Sequence, residues 1–462
     1  MQLTLAHVIS LIITFLMVVI VGIYSGRRIS SATDFSVGGR KAGFMLVAAA
    51  IMGTLVGGAA TIGTAQLAFQ YGFSAWWFTL GAGIGCLLLA FQARPLREGN
   101  YETVPEILAG VYGDQVRTAA CIFSSIGIFL NLVGQMLAAV ALLTSMLGIS
   151  SWLAAVVAAV LIIVYVVFGG VWGTSLVGLV KLILLYSLLI IVGWQAYELV
   201  GGWRQLQIAL PAFPWFSLFG RGVTVDLAAG FSLIVGVLST QTYIQNILFG
   251  RDTNASRKGA MLAAILVPLA GIPGILVGLY MRLNFAGLPP VQAFPVFILT
   301  HLPSWLAGIA LATLIITVVG TGAGLVLGIS TMLTKDIYSN FSGNTKTERN
   351  LLVLRLVIVG VMLLCLGVVL SGNLSSLILD WSYLSMGLRG ATICLPLVVA
   401  LLWPRRVSPV AGKLAVILAP TAVLGWKIWG GIIDPLYPGL AVSALILAVG
   451  MCRFKTDAKS DF

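Results

Sequence analysis

"TLVGGAATIGTA", residues 54–65, lies inside an apolar window long enough to cross a membrane, yet carries three glycines and three threonines in its twelve positions. A helix in lipid must satisfy every backbone group internally, so a sequence that weakens it there is tolerated only where it faces protein or lines a cavity. Broken helices of this kind supply carbonyls and helix ends to ions and solutes near the midplane of transporters. The competing reading is close helix packing by small residues, and Gly53, Gly57 and Thr61 do fall four apart on one face. A second window favours the break: "GVLSTQTYIQN", residues 236–246, places Ser239, Thr240, Gln241 and Gln245 in mid-span. Two interrupted spans five helices apart fit a five-plus-five inverted repeat.

Composition sets the class. Of the 462 residues, 60% are hydrophobic and 9% are charged, with a mean hydropathy of +1.07, too little charge to cover a soluble surface. The stretch at 4–24 is too long for a signal-peptide core and lacks a basic segment before it, so it reads as a retained span. Windows of about 20 apolar residues, matching a bilayer core, fall at 4–25, 42–70, 74–94, 118–147, 151–169, 172–198, 227–249, 259–282, 303–333, 351–371, 374–403, 410–428 and 436–452. The expected fold is therefore all-α and polytopic, with thirteen transmembrane helices. Its segments are an N-terminal helix and loop (1–41), two five-helix repeats (42–200 and 201–403), and two C-terminal helices with a tail (404–462).

With the N-terminus outside, the inner loops collect Arg27, Arg28, Arg40, Lys41, Arg94, Arg97, Arg117, Arg251, Arg257, Lys258, Lys335, Lys346, Arg349, Arg405, Arg406, Lys413, Arg453, Lys455 and Lys459. The outside receives Arg204, Arg221 and Arg282. This asymmetry places the N-terminus outside and the C-terminus in the cytoplasm, in a cell (inner) membrane. It also accounts for the net charge of +12 without a nucleic-acid partner. Cys86, Cys121, Cys365, Cys394 and Cys452 form no Cys-x-x-Cys pair, and His7 and His301 are the only histidines. Neither a disulfide framework, a metal centre nor an enzyme is indicated. A channel would want a ring of filter elements or a continuous polar face. A transporter-like sensor, the rival from another class, would carry a signalling domain.

Five stretches, in order and at the matching spans, resemble the sodium:solute symporter family: "DFSVGGR" (34–40), "FGGVWG" (168–173), "YIQNILFGRD" (243–252), "LATLIITVVGTGAGLVLGISTMLTKDIY" (311–338) and "LPLVVALLWPRR" (395–406). The resemblance implies the leucine-transporter fold of the amino acid-polyamine-organocation superfamily, with an extra N-terminal helix and broken first and sixth repeat helices. It implies alternating access for a small organic solute, with Na+ as coupling ion and no other cofactor. It also implies a cation site made by the carbonyls of Gly53 and Val56, the carbonyl of Thr317 and a hydroxyl pair. At that pair this chain has Gly320 and Thr321, so one hydroxyl is missing. A family aspartate falls on Gly178, and the family's Asp-x-Ser falls on Ala323 and Gly324. Oxygens are lost, while Lys181, one turn after Gly178 on the same face, adds an ammonium.

Two readings stand side by side: sodium symport with a degraded site, and sodium-independent transport, proton-coupled or uncoupled, with Lys181 replacing the cation. A mid-membrane charge costs at least about 2.5 to 3.5 kcal/mol on insertion scales, which makes a role the default. Lys181 is then a resident cation or proton carrier, a ligand for an anionic substrate, or a side chain that snorkels to inner water about 13 Å away or pairs with a carbonyl. Arg389 either grips a carboxylate with its planar fork or makes a structural pair. Asp380, nine residues away, is no in-helix partner for it. Two embedded cations lean the solute toward a small carboxylate. The remaining substrate-site candidates are Thr54, Gly57 and Gly58 at the break, Asn131 and Gln135 one turn apart, and Gln241 and Gln245 likewise, with Trp381 and Tyr383 gating the outer mouth. Each has interhelix packing or hydrogen bonding as its alternative.

Overall fold

The computed structural model describes residues 3–26, 40–99, 101–339, 347–372, 376–403, 406–431 and 433–460. The quoted stretch is broken as its composition requires. Helix α1 is Leu5–Gly26, and α2, Phe44–Leu55, stops short of the first glycine pair. Val56 then leaves helical geometry at φ −87°, ψ 88°, residues Ala59–Gly63 wind as a single π-turn, and α3, Thr64–Tyr71, resumes the helix.

The chain continues through α4 (Trp77–Glu98), α5 (Val104–Tyr112), α6 (Gln115–Leu147) and α7 (Ser151–Leu199). Two short helices, Gly202–Ala209 and Ala212–Trp215, precede α8, Val223–Ser239. The second quoted window is broken too. Thr240 turns to φ −85°, ψ 122°, and α9, Gln241–Phe249, leaves α8 at a bend of 48°. Then come α10 (Thr253–Asn284), α11 (Ala293–His301), α12 (Ser304–Met332), α13 (Thr347–Ser371) and α14 (Ile378–Arg389). A π-turn at Gly390–Cys394 joins α14 to α15 (Leu395–Leu402), and α16 (Pro409–Trp429) and α17 (Leu436–Ser460) complete the described chain.

Among the described residues, eight helices are long and apolar enough to cross a membrane, or up to nine if the bent α8–α9 pair is one span. Leu5–Met17, Phe44–Leu55, Ser151–Val167 and Leu436–Cys452 are shorter apolar helices. The windows at 151–169 and 172–198 differ from expectation, because α7 runs through both as one 49-residue helix. At about 1.5 Å per residue that is far longer than one bilayer crossing. Burial separates the inner helices from the lipid-facing ones. Over an apolar window of 18 residues, the stretch beginning at Ser304 is 94% buried and α6 is 83% buried, whereas Asn350–Ser371 is 33% buried. Helix α12 is thus the central post, packed on α1, α2, α6 and α7. Its glycines and threonines permit that crowding: a Cβ at Gly324 would lie 2.3 Å from Thr54 Cγ2 of α2.

Candidate functional site: a buried ammonium at the helix break

Where α2 stops, its last carbonyls lose their helical partners. Gly53 O is one of them. It receives Lys181 Nζ of α7 at 2.6 Å and Thr321 Oγ1 of α12 at 3.1 Å. The same ammonium donates to Thr317 O at 3.2 Å and contacts the Thr321 hydroxyl at 3.1 Å. Lys181 is 2% exposed, and Thr317 and Thr321 are as deeply buried. Three elements far apart in sequence therefore converge on one amine, with three oxygens around it. The amine points into the protein, onto the broken helix, where it pairs with two backbone carbonyls.

Of the residues implied for a cation site, Gly53, Thr317, Thr321 and Lys181 come together. Val56 is not among the hydrogen-bond partners of the lysine; its N–H closes the last turn of α2 on Met52 O. Gly320 borders the site without a side chain. A Cβ there would meet nothing nearer than Lys181 Cδ and Tyr165 Oη, both at 3.9 Å. The ground of the missing hydroxyl is open enough for a serine.

The break itself is braced by α6. Gly58 N–H donates to Gln135 Oε1 at 2.8 Å, and Asn131 Oδ1, one turn away, accepts from Ser382 Oγ of α14 at 3.0 Å. Both glycines are needed for close approach. A Cβ at Gly57 would lie 2.6 Å from Thr321 Oγ1, and one at Gly58 would lie 2.4 Å from Ala138 Cβ. Gly58→Ala is expected to destabilise the protein by about 1 to 3 kcal/mol through overpacking against a rigid helix. Thermal unfolding of the variant beside wild type measures it, and an unchanged midpoint would contradict the contact. Thr54 bonds back to Ala50 and Ile51 carbonyls and accepts from Asn246 Nδ2 at 3.2 Å, which ties α2 to α9. Gln245 is buried on α9 beside them in sequence.

Three candidates are placed elsewhere. Gln241 does not face the break. Its Oε1 accepts from Val104 N at 2.7 Å and its Nε2 donates to Glu102 O at 3.0 Å, so it pins the start of α5. Arg389 is fully buried but shares no hydrogen bond with the Lys181 cluster; it bonds to Ser385 and Met386 of its own helix. Trp381 Nε1 donates to Ser376 Oγ at 3.0 Å. Tyr383 is placed at a cavity of about 270 Å³, which it lines with Arg221, Asp380, Lys427 and Asp434.

Other long-range contacts were missed in the sequence because they join distant residues. At one end of the bundle, Thr103 Oγ1 donates to the buried Asp336 at 3.0 Å, Lys335 pairs with Glu102 at 2.9 Å, and Arg97 bonds the Leu248 carbonyl at 3.0 Å. At the other end, Arg221 is bound through Nε to Asp226 at 2.7 Å and lies over the Tyr383 ring. Gln66 Oε1 accepts the first N–H of α14, from Ile378, at 3.0 Å. In the "DFSVGGR" motif, residues 34–39 lie outside the described residues, as do the side chains of "FGGVWG" at 168–173.

A bundle of apolar helices, two of them broken, with a buried charge held on carbonyls at one break, defines an integral membrane protein of the discontinuous-helix transporter class. The chain belongs to the sodium:solute symporter family, whose model matches residues 35–411. It is 23% identical to the high-affinity proline transporter PutP of Bacillus subtilis, with 96% of each chain covered. It is 22% identical to the high affinity choline transporter 1 of Homo sapiens, covering 76% of this chain and 65% of that one. The uncharacterized symporter YwcA of B. subtilis matches at 22% identity over 69% of this chain and 66% of its own length. In fold, the chain resembles a Na+-coupled sialic acid symporter solved in a substrate-bound outward-open state. The TM-score is 0.82 at 18% identity, with 98% of both chains covered.

Proposed function

We propose that this protein is a secondary active transporter of a small organic solute, working by alternating access, in which the Lys181 ammonium occupies the position of the coupling cation. The observation that carries this reading is the set of bonds from Lys181 Nζ to Gly53 O, Thr317 O and Thr321 Oγ1. Sodium requires several oxygen ligands, and here the oxygens expected of a site between the first broken helix and α12 are held by an amine. Transport then proceeds without sodium, by proton coupling through that amine or uncoupled. The reading keeps thirteen spans with the N-terminus outside, and the inverted repeat at 42–200 and 201–403. In this orientation the Thr103–Asp336 contact lies at the cytoplasmic end and the Arg221 cavity at the outer mouth. Two buried cations, Lys181 and Arg389, favour an anionic solute such as a small carboxylate.

The test is thermal unfolding of the purified protein in sodium against potassium at matched ionic strength, for wild type and Lys181→Ala. Binding at ten to a hundred times the dissociation constant adds about 1.4 to 2.7 kcal/mol. Wild type is expected to be indifferent to the cation. Sodium-specific stabilisation of wild type would instead restore sodium symport as the reading, with Lys181 a substrate or structural residue.

A further inference from the structure

Arg389 poses a different problem from Lys181. Arginine stays charged, and a buried ion without counter-charge or full hydrogen bonding costs several kcal/mol. Its Nε donates to Ser385 O at 3.1 Å, and its Nη2 reaches Ser385 Oγ at 2.7 Å and Met386 Sδ at 3.2 Å. Nη1 is buried and has no partner, and among the described residues no carboxylate forms an ion pair with this guanidinium. The stem lies on Gly127 of α6, where a Cβ would sit 2.3 Å from Arg389 Cγ. One turn along the same face of α6 stands Ser124, 1% exposed, whose hydroxyl is also buried without a partner. The hydroxyl of Ser385 is already committed to Gly127 O at 2.5 Å.

These groups have a definite depth. Gln135, Asn131, Gly127 and Ser124 form one stripe along α6, and Gly127 lies about 12 Å along the axis from Gln135 and the helix break. The stripe runs toward the N-terminal part of α6, which follows the Thr103–α5 segment in the chain.

We propose that Arg389 Nη1 and the Ser124 hydroxyl form a second anion subsite, inward of the helix break, for a monovalent anion of halide or carboxylate size. Both donors are buried without a partner, one of them is charged, and Gly127, on which the arginine stem lies, is one turn from Ser124. An inorganic halide and a carboxylate group of the solute share this chemistry. The placement on the release side rests on the transporter reading and its orientation; the anion site itself does not.

The test unfolds the full-length protein thermally at constant ionic strength, with potassium as the only cation, while a bulky sulfonate buffer anion is exchanged for chloride or for acetate. A saturable rise in Tm is expected. Chloride alone identifies an inorganic ion, acetate alone a carboxylate, and both a site that admits either. Ser124→Ala is expected to raise the half-saturating concentration about tenfold, the size of one hydrogen bond to a charged group. Arg389→Gln abolishes the response, and Arg389→Lys weakens it while keeping the buried charge should the glutamine variant fail to fold. No saturable response in wild type overturns the proposal, as does an unchanged midpoint in both Ser124→Ala and Arg389→Lys. Lys181→Ala keeps the anion response, so this series and the sodium–potassium series succeed or fail separately.

Discussion

Lys181→Met is expected to destabilise the protein by about 2 to 4 kcal/mol, and the pair Lys181→Ala with Gly320→Ser to make it responsive to sodium. Methionine keeps the length and bulk of the lysine stem, so cavity formation contributes little and the loss reports the missing donors. Three contacts go at once, to Gly53 O, Thr317 O and Thr321 Oγ1. Each buried polar group left unsatisfied costs about 1 to 3 kcal/mol. The total falls below the sum because Thr321 Oγ1 still donates to Gly53 O at 3.1 Å. Removing the lysine without replacing its bulk leaves those oxygens converging on room for an ion. Serine at position 320 then adds a hydroxyl where a Cβ has no neighbour closer than 3.9 Å. Sodium against potassium should raise the unfolding temperature of this double variant and leave wild type unmoved. A methionine variant as stable as wild type would show that the ammonium carries no structural load. A double variant blind to sodium would show that the lysine does not stand on a cation site.

How far the sequence could be read depended on whether a feature was local. The break after Leu55 and the bend at Thr240 were legible because glycine, threonine and glutamine are out of place in mid-membrane. Gly53, Thr317, Thr321 and Lys181 were located by counting from motifs of the family that the chain resembles, and the fold brings those four together. Val56 was located by the same count, but the lysine does not bond to it. Gln241 looked like a pocket residue by its depth, but its partners at Glu102 and Val104 lie more than a hundred positions away. The separation of Arg389 from Lys181 was equally hidden. A single span shows which residues share a face, but not at which level that face meets its neighbours. Arg221 escaped notice for another reason. Charges at a membrane surface are ordinary, and nothing in composition marks one as buried.

That overlooked arginine carries the second large effect. Asp226→Ala is expected to cost about 3 to 5 kcal/mol, the penalty for leaving a buried ion without its partner. Asp226 is 0% exposed and the side chain of Arg221 is 9% exposed. The carboxylate takes the Arg221 backbone N–H at 2.9 Å and its Nε at 2.7 Å, so one residue fixes both the turn before α8 and the guanidinium it presents. The guanidinium lies 5.3 Å from the centre of the Tyr383 ring and 3.5 Å from Asp380 Oδ1, which links the start of α8 to α14 beside the cavity that these residues line. Asp380 is the control. Its side chain is 57% exposed and its contact is long, so Asp380→Ala should cost at most about 1 kcal/mol, as for a surface pair. Arg221→Met combined with Asp226→Ala should be less damaging than the two single changes added together, because no unpaired charge remains. Thermal or denaturant unfolding of the four variants gives the comparison. Equal losses from Asp226 and Asp380 would mean that the arginine shares its charge across an open network. A loss confined to Asp226, and relieved in the double variant, is the signature of a sealed pair that holds the start of α8 against α14.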